Sequence, residues 1–172
     1  MFARLLFCAL LAGVFGVAYA QDQPAQTQPQ QARQQLTPEQ RAAIRKRNEE
    51  LVSYANNVLK MIDNGQEAQV WENMSEVGKK VVTQSAFVKR VQQQREALGQ
   101  VKSRRVVALY RTRSNGKELP PGTYFNVRYL TRFANSATPK LELVSFHADS
   151  DRRMRLSGYA ITDLPRQTAP RK

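Results

Sequence analysis

The spacing of apolar residues changes once along the chain, at Gly99, and this change constrains the fold more than any other feature. Before Gly99, apolar side chains recur every three or four residues, as in helices that bury one stripe. After Gly99 they recur every second residue, as in half-buried strands. The sequence therefore predicts a single α+β domain, in which three N-terminal helices pack on a four-stranded antiparallel curved sheet.

The first predicted helix has the clearest start. Thr37 can act as its N-cap, Pro38 fits the first helical position, and Gln40 completes a capping box. Trp71 is expected to anchor the helical layer from the second helix. The predicted helices cover residues 38–63, residues 66–80, and a stretch that starts at a Thr83 or Ser85 cap and ends before Gly99.

Four strands are predicted after the helices, at residues 104–113, 123–134, 140–148 and 153–162. The second strand alternates most clearly, with Phe125, Val127, Tyr129 and Phe133 on one side and a mixed, basic set on the other. We therefore expect one sheet face to be covered by the helices and the other face to be open.

The first twenty residues have the features of a secretory signal peptide. Arg4 provides a positive start, an apolar run over residues 5–17 follows, and Ala18-Tyr19-Ala20 fits signal peptidase cleavage after Ala20. The run is shorter than the ~20 residues that a spanning helix needs. We therefore expect a periplasmic or secreted protein with no transmembrane segment in its mature form.

The remaining boundaries follow from composition. Residues 21–36 are rich in glutamine and proline and are expected to form a disordered linker. Residues 37–163 are the predicted α+β domain, and residues 164–172 are a flexible basic tail.

Few residues are suited to catalysis. The only cysteine, Cys8, lies in the predicted signal peptide, so the mature chain has no thiol nucleophile, disulfide or thiolate metal site. His147 is the only histidine, and no nucleophile motif accompanies it. We expect an ordinary, exposed or half-buried strand histidine and a noncatalytic domain without a cofactor or a metal.

The charge balance indicates the kind of partner. The formal net charge is +13, and arginines are concentrated in the second half of the chain. Such a field favours anionic partners, which in the envelope are lipopolysaccharide, anionic lipid, peptidoglycan or an acidic protein. Nucleic acid is not expected for an exported protein, and the oligomeric state stays open. The predicted anion-binding face comprises Arg111, Arg113, Arg128, Arg132, Arg153 and Arg155, although a face that only keeps the protein soluble is an equal alternative.

A set of motifs spans nearly the whole predicted domain. It comprises Trp71, Phe87, Arg95-Glu96-Ala97-Leu98-Gly99, Ser103-Arg104, Leu119-Pro120-Pro121-Gly122-Thr123-Tyr124, Phe133-Ala134-Asn135, Glu142, Val144 and Gly158-Tyr159-Ala160-Ile161. On these motifs, residues 55–162 resemble the DUF4019 family of uncharacterised bacterial envelope proteins. The resemblance implies an exported helix-then-sheet domain and no activity. The basic Asp151-Arg152-Arg153-Met154-Arg155 segment departs from the family's usual aspartate-glycine turn and tryptophan.

The order of elements also resembles the NTF2-like and cystatin-like folds, some of which hold a pocket between helices and sheet. That analogy implies an alternative function, a small-ligand site or weak enzyme of NTF2-like type lined by Trp71, Arg95, Tyr129, Phe133 and Glu142. An ion pair of Glu142 with Arg128 or Arg132, or of Glu96 with Arg95 and Arg104, is the simpler interpretation of these charges. A further alternative is an accessory subunit whose basic face contacts a partner.

Overall fold

The computed structural model describes residues 36–165, which contain four helices followed by four strands. The helices are α1 (Pro38–Asp63), α2 (Glu67–Glu72), α3 (Glu76–Val81) and α4 (Gln84–Leu98), and the strands are β1 (Val101–Ser114), β2 (Gly122–Phe133), β3 (Lys140–Ala148) and β4 (Met154–Asp163). This is the predicted α+β domain. The predicted signal peptide, all of the predicted linker except Leu36, and the tail beyond residue 165 lie outside the described residues.

The helix count differs from the prediction because the second predicted helix is interrupted. Asn73 ends α2, and Ser75 begins α3 by accepting the backbone N–H of Val77 at 3.2 Å. The backbone N–H of Ser75 donates to the carbonyl of Leu156 in β4 at 2.7 Å. The chain therefore leaves the helical path to bond to the sheet.

The ends of the other two helices follow their predicted caps. Thr37 and Gln40 form the capping box of α1, with bonds of 2.9 and 3.2 Å. Thr83, rather than Ser85, caps α4, and Gly99 ends it at a φ of 72°. Among residues 36–165, no helix is both long and apolar enough to span a membrane.

The strands form one antiparallel sheet in the order β1-β2-β3-β4. Its helix-facing side contributes Val127, Tyr129, Val144 and Phe146 to the core, and α1 and α4 supply most of the helical half of that core. These helix residues are Leu51, Ala55, Leu59, Ile62, Phe87 and Val91. The core thus lies between the helices and one side of the sheet.

The opposite side of the sheet, called the outer face below, has a different composition. Leu130, Leu141 and Leu143 lie there and are half-buried, and none of them belongs to the core cluster of the described residues. Arg128 is paired with Leu143, and Arg105 with Leu130, on the same side. The outer face is therefore a mixture of leucines and arginines rather than a continuous basic layer.

Candidate functional site

A fully buried carboxylate, Glu142, lies between the helices and the sheet. Arg104 donates to it from Nε at 2.6 Å and from Nη2 at 3.1 Å, and the Tyr159 hydroxyl donates at 2.7 Å. Thr131 also donates to it, and Arg95 approaches it at 3.5 Å. Because a buried charge needs partners, these donors explain how Glu142 can lie in the core.

A second carboxylate, Asp63 at the end of α1, completes this ion cluster. Arg104 donates to Asp63 at 2.8 and 3.1 Å, and Arg95 also bonds to it. Burial opposes the charge on Arg104, but hydrogen bonds to Asp63 and Glu142 outweigh it and raise the pKa of Arg104 above its ordinary value. Two cations and two anions thus neutralise one another where α1, α4, β1 and β3 meet.

The predicted pocket coincides largely with this ion cluster. Arg95 lies 5.0 Å above the ring of Phe133, while Tyr129 is paired with Glu142 across the strands and donates from its hydroxyl to Asn56 at 2.8 Å. Four of the five predicted residues are therefore close together, but they contact one another. Their side chains occupy the space in which a ligand was expected.

Trp71, the fifth predicted pocket residue, has a structural role elsewhere. Its Nε1 donates to the carbonyl of Val82 at 3.0 Å, and the Lys79 ammonium lies 5.4 Å from its ring.

The ion pairs of Glu142 differ from those predicted from the sequence, since Glu142 bonds to Arg95 and Arg104 rather than to Arg128 or Arg132. Asp63 was not predicted, because an aspartate before Asn64-Gly65 resembles an ordinary helix end.

The six arginines of the predicted anion-binding face do not share one face. Arg111 is paired with Phe125 and Arg113 with Thr123, which places both on the helix-facing side of the sheet. Arg128 and Arg132 lie on the outer face. The register shift between Val106 and Ala108 is the physical reason, because an extra residue on β1 turns every later side chain to the other face.

Arg153 and Arg155, the other two predicted residues, are neutralised by acids. Arg155 donates to Asp149 at 2.8 Å and to Asp151 at 2.7 Å, and Arg153 lies 3.8 Å from Asp151. The hydrogen bond from Arg155 lowers the pKa of Asp151 to about 2. This pair therefore contributes little free positive charge.

A basic surface remains on the first two strands. It comprises the side chains of Lys102, Arg105, Arg111, Arg113, Arg128 and Arg132, and we call it the β1–β2 basic surface. Within residues 36–165, none of these six cations forms a salt bridge. Arg128 is held by the Tyr110 hydroxyl at 3.1 Å and lies 5.2 Å above its ring.

Lys102 and Arg105 were absent from the predicted set, although the sequence held a signal for them. The whole of β1 contains five basic residues and no acidic residue. Four of these basic side chains are exposed, and only Arg104 is drawn into the ion cluster. A count of charges by strand, rather than by predicted face, would have identified Arg105, whereas Lys102 precedes the predicted start of the strand at residue 104.

His147 lies at the far end of the sheet and is buried, contrary to the expectation of an exposed or half-buried side chain. Its Nδ1 lies 2.7 Å from Asp149, which also accepts the hydroxyl of Ser75 at 2.6 Å. Aspartate is therefore between serine and histidine, whereas a catalytic triad has histidine in the middle. Among the described residues, no three His, Cys, Asp or Glu side chains are grouped as metal ligands.

The model of one protein family matches most of this domain. The family is DUF4019, described as a protein of unknown function, and the match covers residues 54–159. No curated protein matches the chain. The matched range runs from the second half of α1 into β4, so it includes the ion cluster and the β1–β2 basic surface. The chain therefore belongs to the DUF4019 family.

Proposed function

We propose that this protein is an exported, noncatalytic binding domain that holds an anionic partner on the β1–β2 basic surface. The observation that carries this proposal is that six cations on two adjacent strands have no salt bridge within residues 36–165. Guanidinium groups bind phosphate and carboxylate through paired N–H donors. The partner is then an anionic envelope component, such as lipopolysaccharide, anionic lipid or peptidoglycan, or an acidic protein.

The distribution of acids supports the same proposal. Asp63 and Glu142 are neutralised in the ion cluster, and Asp149 and Asp151 bind Arg155. No acidic residue lies in β1 or β2. Positive charge is therefore concentrated along β1 and β2, where no acidic residue of either strand repels an anion.

The small-ligand alternative is less well supported, because the side chains around Glu142 already satisfy one another. The accessory-subunit alternative needs the same surface as the leading proposal and differs only in the partner. We therefore expect that removing positive charge from this surface would weaken the binding of a lipid partner and of a protein partner alike.

Sedimentation with anionic vesicles, lipopolysaccharide, peptidoglycan or an acidic protein at low and high salt tests the proposal. We expect at least one probe to bind, and the binding to weaken with salt. The double variant R111E/R113E should lose it. The matched variant K89E/R90E, which makes the same charge change on the exposed side of α4, should bind like the wild type. Equal loss in both variants, or binding that salt does not change, would contradict the proposal.

A further inference from the structure

We propose that the partner's binding segment is an acidic, extended polypeptide that pairs with β1 as a fifth strand. This inference rests on the proposed function and names the partner class for the same surface. Extended peptides bind exposed sheet edges through main-chain hydrogen bonds, while side chains give specificity. Two structural observations, one on the sheet edges and one on the charges, lead to this class of partner.

The first observation concerns the edge at β4, which α3 covers. Ser75 donates its backbone N–H to the carbonyl of Leu156, so part of the outer hydrogen-bonding row of β4 is used. A Cβ on Gly78 would lie 2.9 Å from the carbonyl oxygen of Ser157, which shows how closely α3 follows the β4 backbone. An added strand would have to displace this helix.

The edge at β1 is different. With 14 residues, β1 is the longest of the four described strands, and among them it is paired only with β2. Within residues 36–165, no backbone hydrogen bond joins β1 to an element other than β2. The outer row of its N–H and C=O groups is therefore available to a further strand.

The second observation concerns the two faces on which the cations lie. Arg105, before the register shift in β1, is on the outer face, whereas Arg111 and Arg113, after it, are on the helix-facing side. A flat partner such as a lipid surface can contact only one face of a sheet. A segment that approaches in the plane of the sheet contacts both faces, because its own side chains alternate between them.

The positive charge of β1 indicates that the added segment is acidic. A second copy of β1 would oppose five basic residues with five more, and like charges across strands are destabilising. The Gln-rich stretch of this chain, residues 21–35, contains one acidic and one basic residue and therefore has no net negative charge. Glutamate or aspartate side chains on both faces of the segment would instead pair with Arg105 on one side and Arg111 and Arg113 on the other.

The test uses two synthetic peptides of equal charge and the whole purified protein. The first peptide repeats Glu-Glu-Thr-Thr over about ten residues, which places glutamates on both faces of an extended strand. The second has proline in place of each threonine, which removes main-chain donors. Affinity is measured by calorimetry, and amide hydrogen exchange in β1 is measured by NMR. We expect the threonine peptide to bind about tenfold or more tightly than the proline peptide and to slow exchange in β1.

The variants separate this inference from the proposed function. R111E/R113E should abolish binding of the threonine peptide while K89E/R90E retains it, and circular dichroism verifies that both fold. Equal binding of the two peptides, or unchanged exchange in β1, would overturn strand pairing and leave charge-based docking intact. Binding to anionic vesicles but to neither peptide would also overturn it, in favour of lipid. Failure of every anionic probe would overturn the proposed function as well.

Discussion

The backbone N–H of Ser75 donates to the carbonyl oxygen of Leu156 at 2.7 Å and fixes α3 along the outer edge of β4. The same bond accounts for the break between α2 and α3. It also makes the two edges of the sheet unequal, because β1 has no comparable cover within residues 36–165. The proposed binding surface is thus located at the edge that the helices leave open.

Gly78 allows this close approach, so Gly78→Val should loosen α3 from β4. An added Cβ would lie 2.9 Å from the Ser157 carbonyl oxygen and 3.2 Å from its Cα, both of which are backbone atoms. We expect a loss of about 1–3 kcal/mol in the free energy of unfolding, measured by urea denaturation. Val81→Ala, at an exposed position of α3, is the control and should change it by less than about 0.5 kcal/mol. Unchanged stability of Gly78→Val would contradict the packing described.

Glu142→Ala should be the most damaging single change in the ion cluster. It would leave Arg95 and Arg104 largely buried without their central acceptor, at a cost of about 3–5 kcal/mol in the free energy of unfolding. Chemical denaturation measures it. Glu96→Ala removes an exposed carboxylate from α4 and should stay within about 0.5 kcal/mol of the wild type. A loss from Glu142→Ala no larger than that of the control would show that the cluster is unimportant for stability.

Gly122→Ala should destabilise the start of β2. The new Cβ would lie 2.1 Å from Nε2 of His147. Gly122 also has a φ of 151°, a backbone conformation that residues other than glycine rarely adopt. We expect a loss of about 2 kcal/mol or more in thermal or urea unfolding. Gly158→Ala is the matched control, because its Cβ would meet no atom within 4 Å. The second substitution His147→Ala should recover part of the loss, and failure to do so would exclude the clash as its cause.

Acid should destabilise the turn between β3 and β4. Burial opposes ionisation of Asp149, but hydrogen bonds from Ser75, His147 and Arg155 outweigh it and lower its pKa, while Arg155 lowers the pKa of Asp151 to about 2. Lowered carboxyl pKa values stabilise the fold above the ordinary value of about 4, and this stability is lost as the pH falls towards about 2.

Melting temperatures measured between these pH values check this prediction. The double variant D149N/D151N should show a flatter pH dependence than the wild type. Glu118→Gln, in an exposed loop and without a salt bridge among the described residues, should leave the curve unchanged. Identical curves for all three proteins would mean that other groups determine acid stability.

Local sequence signals predicted the elements well. Three signals depend only on neighbouring residues: the capping box at Thr37, the glycine at the end of α4, and the two-residue period of the strands. Each of them predicted an element close to its observed bounds. The break at Ser75 depends on Leu156, which is distant in sequence. Ser75 is a possible helix cap in the sequence, but the bond that draws the chain out of the helix at this point comes from β4.

The candidate surface was predicted only in part, for a similar reason. Arg111 and Arg128 were correctly placed on strands, but the face on which Arg111 and Arg113 lie depends on the register shift near Val107. One extra residue reverses the face, and nothing in the composition of β1 reveals where it is inserted. The neutralisation of Arg155 likewise required the folded turn to place Asp149 beside it.

The central claim is that the β1–β2 basic surface, rather than the net charge of the protein, binds the anionic partner. NMR titration with a short polyglutamate resolves this directly, because the side-chain Nε–H signal of each arginine reports its own contacts. We predict that the signals of Arg105, Arg111, Arg113, Arg128 and Arg132 shift together and saturably, while those of Arg90 on α4 and of Arg95 and Arg104 in the ion cluster do not. Shifts spread equally over Arg90 and the strand arginines would contradict the claim.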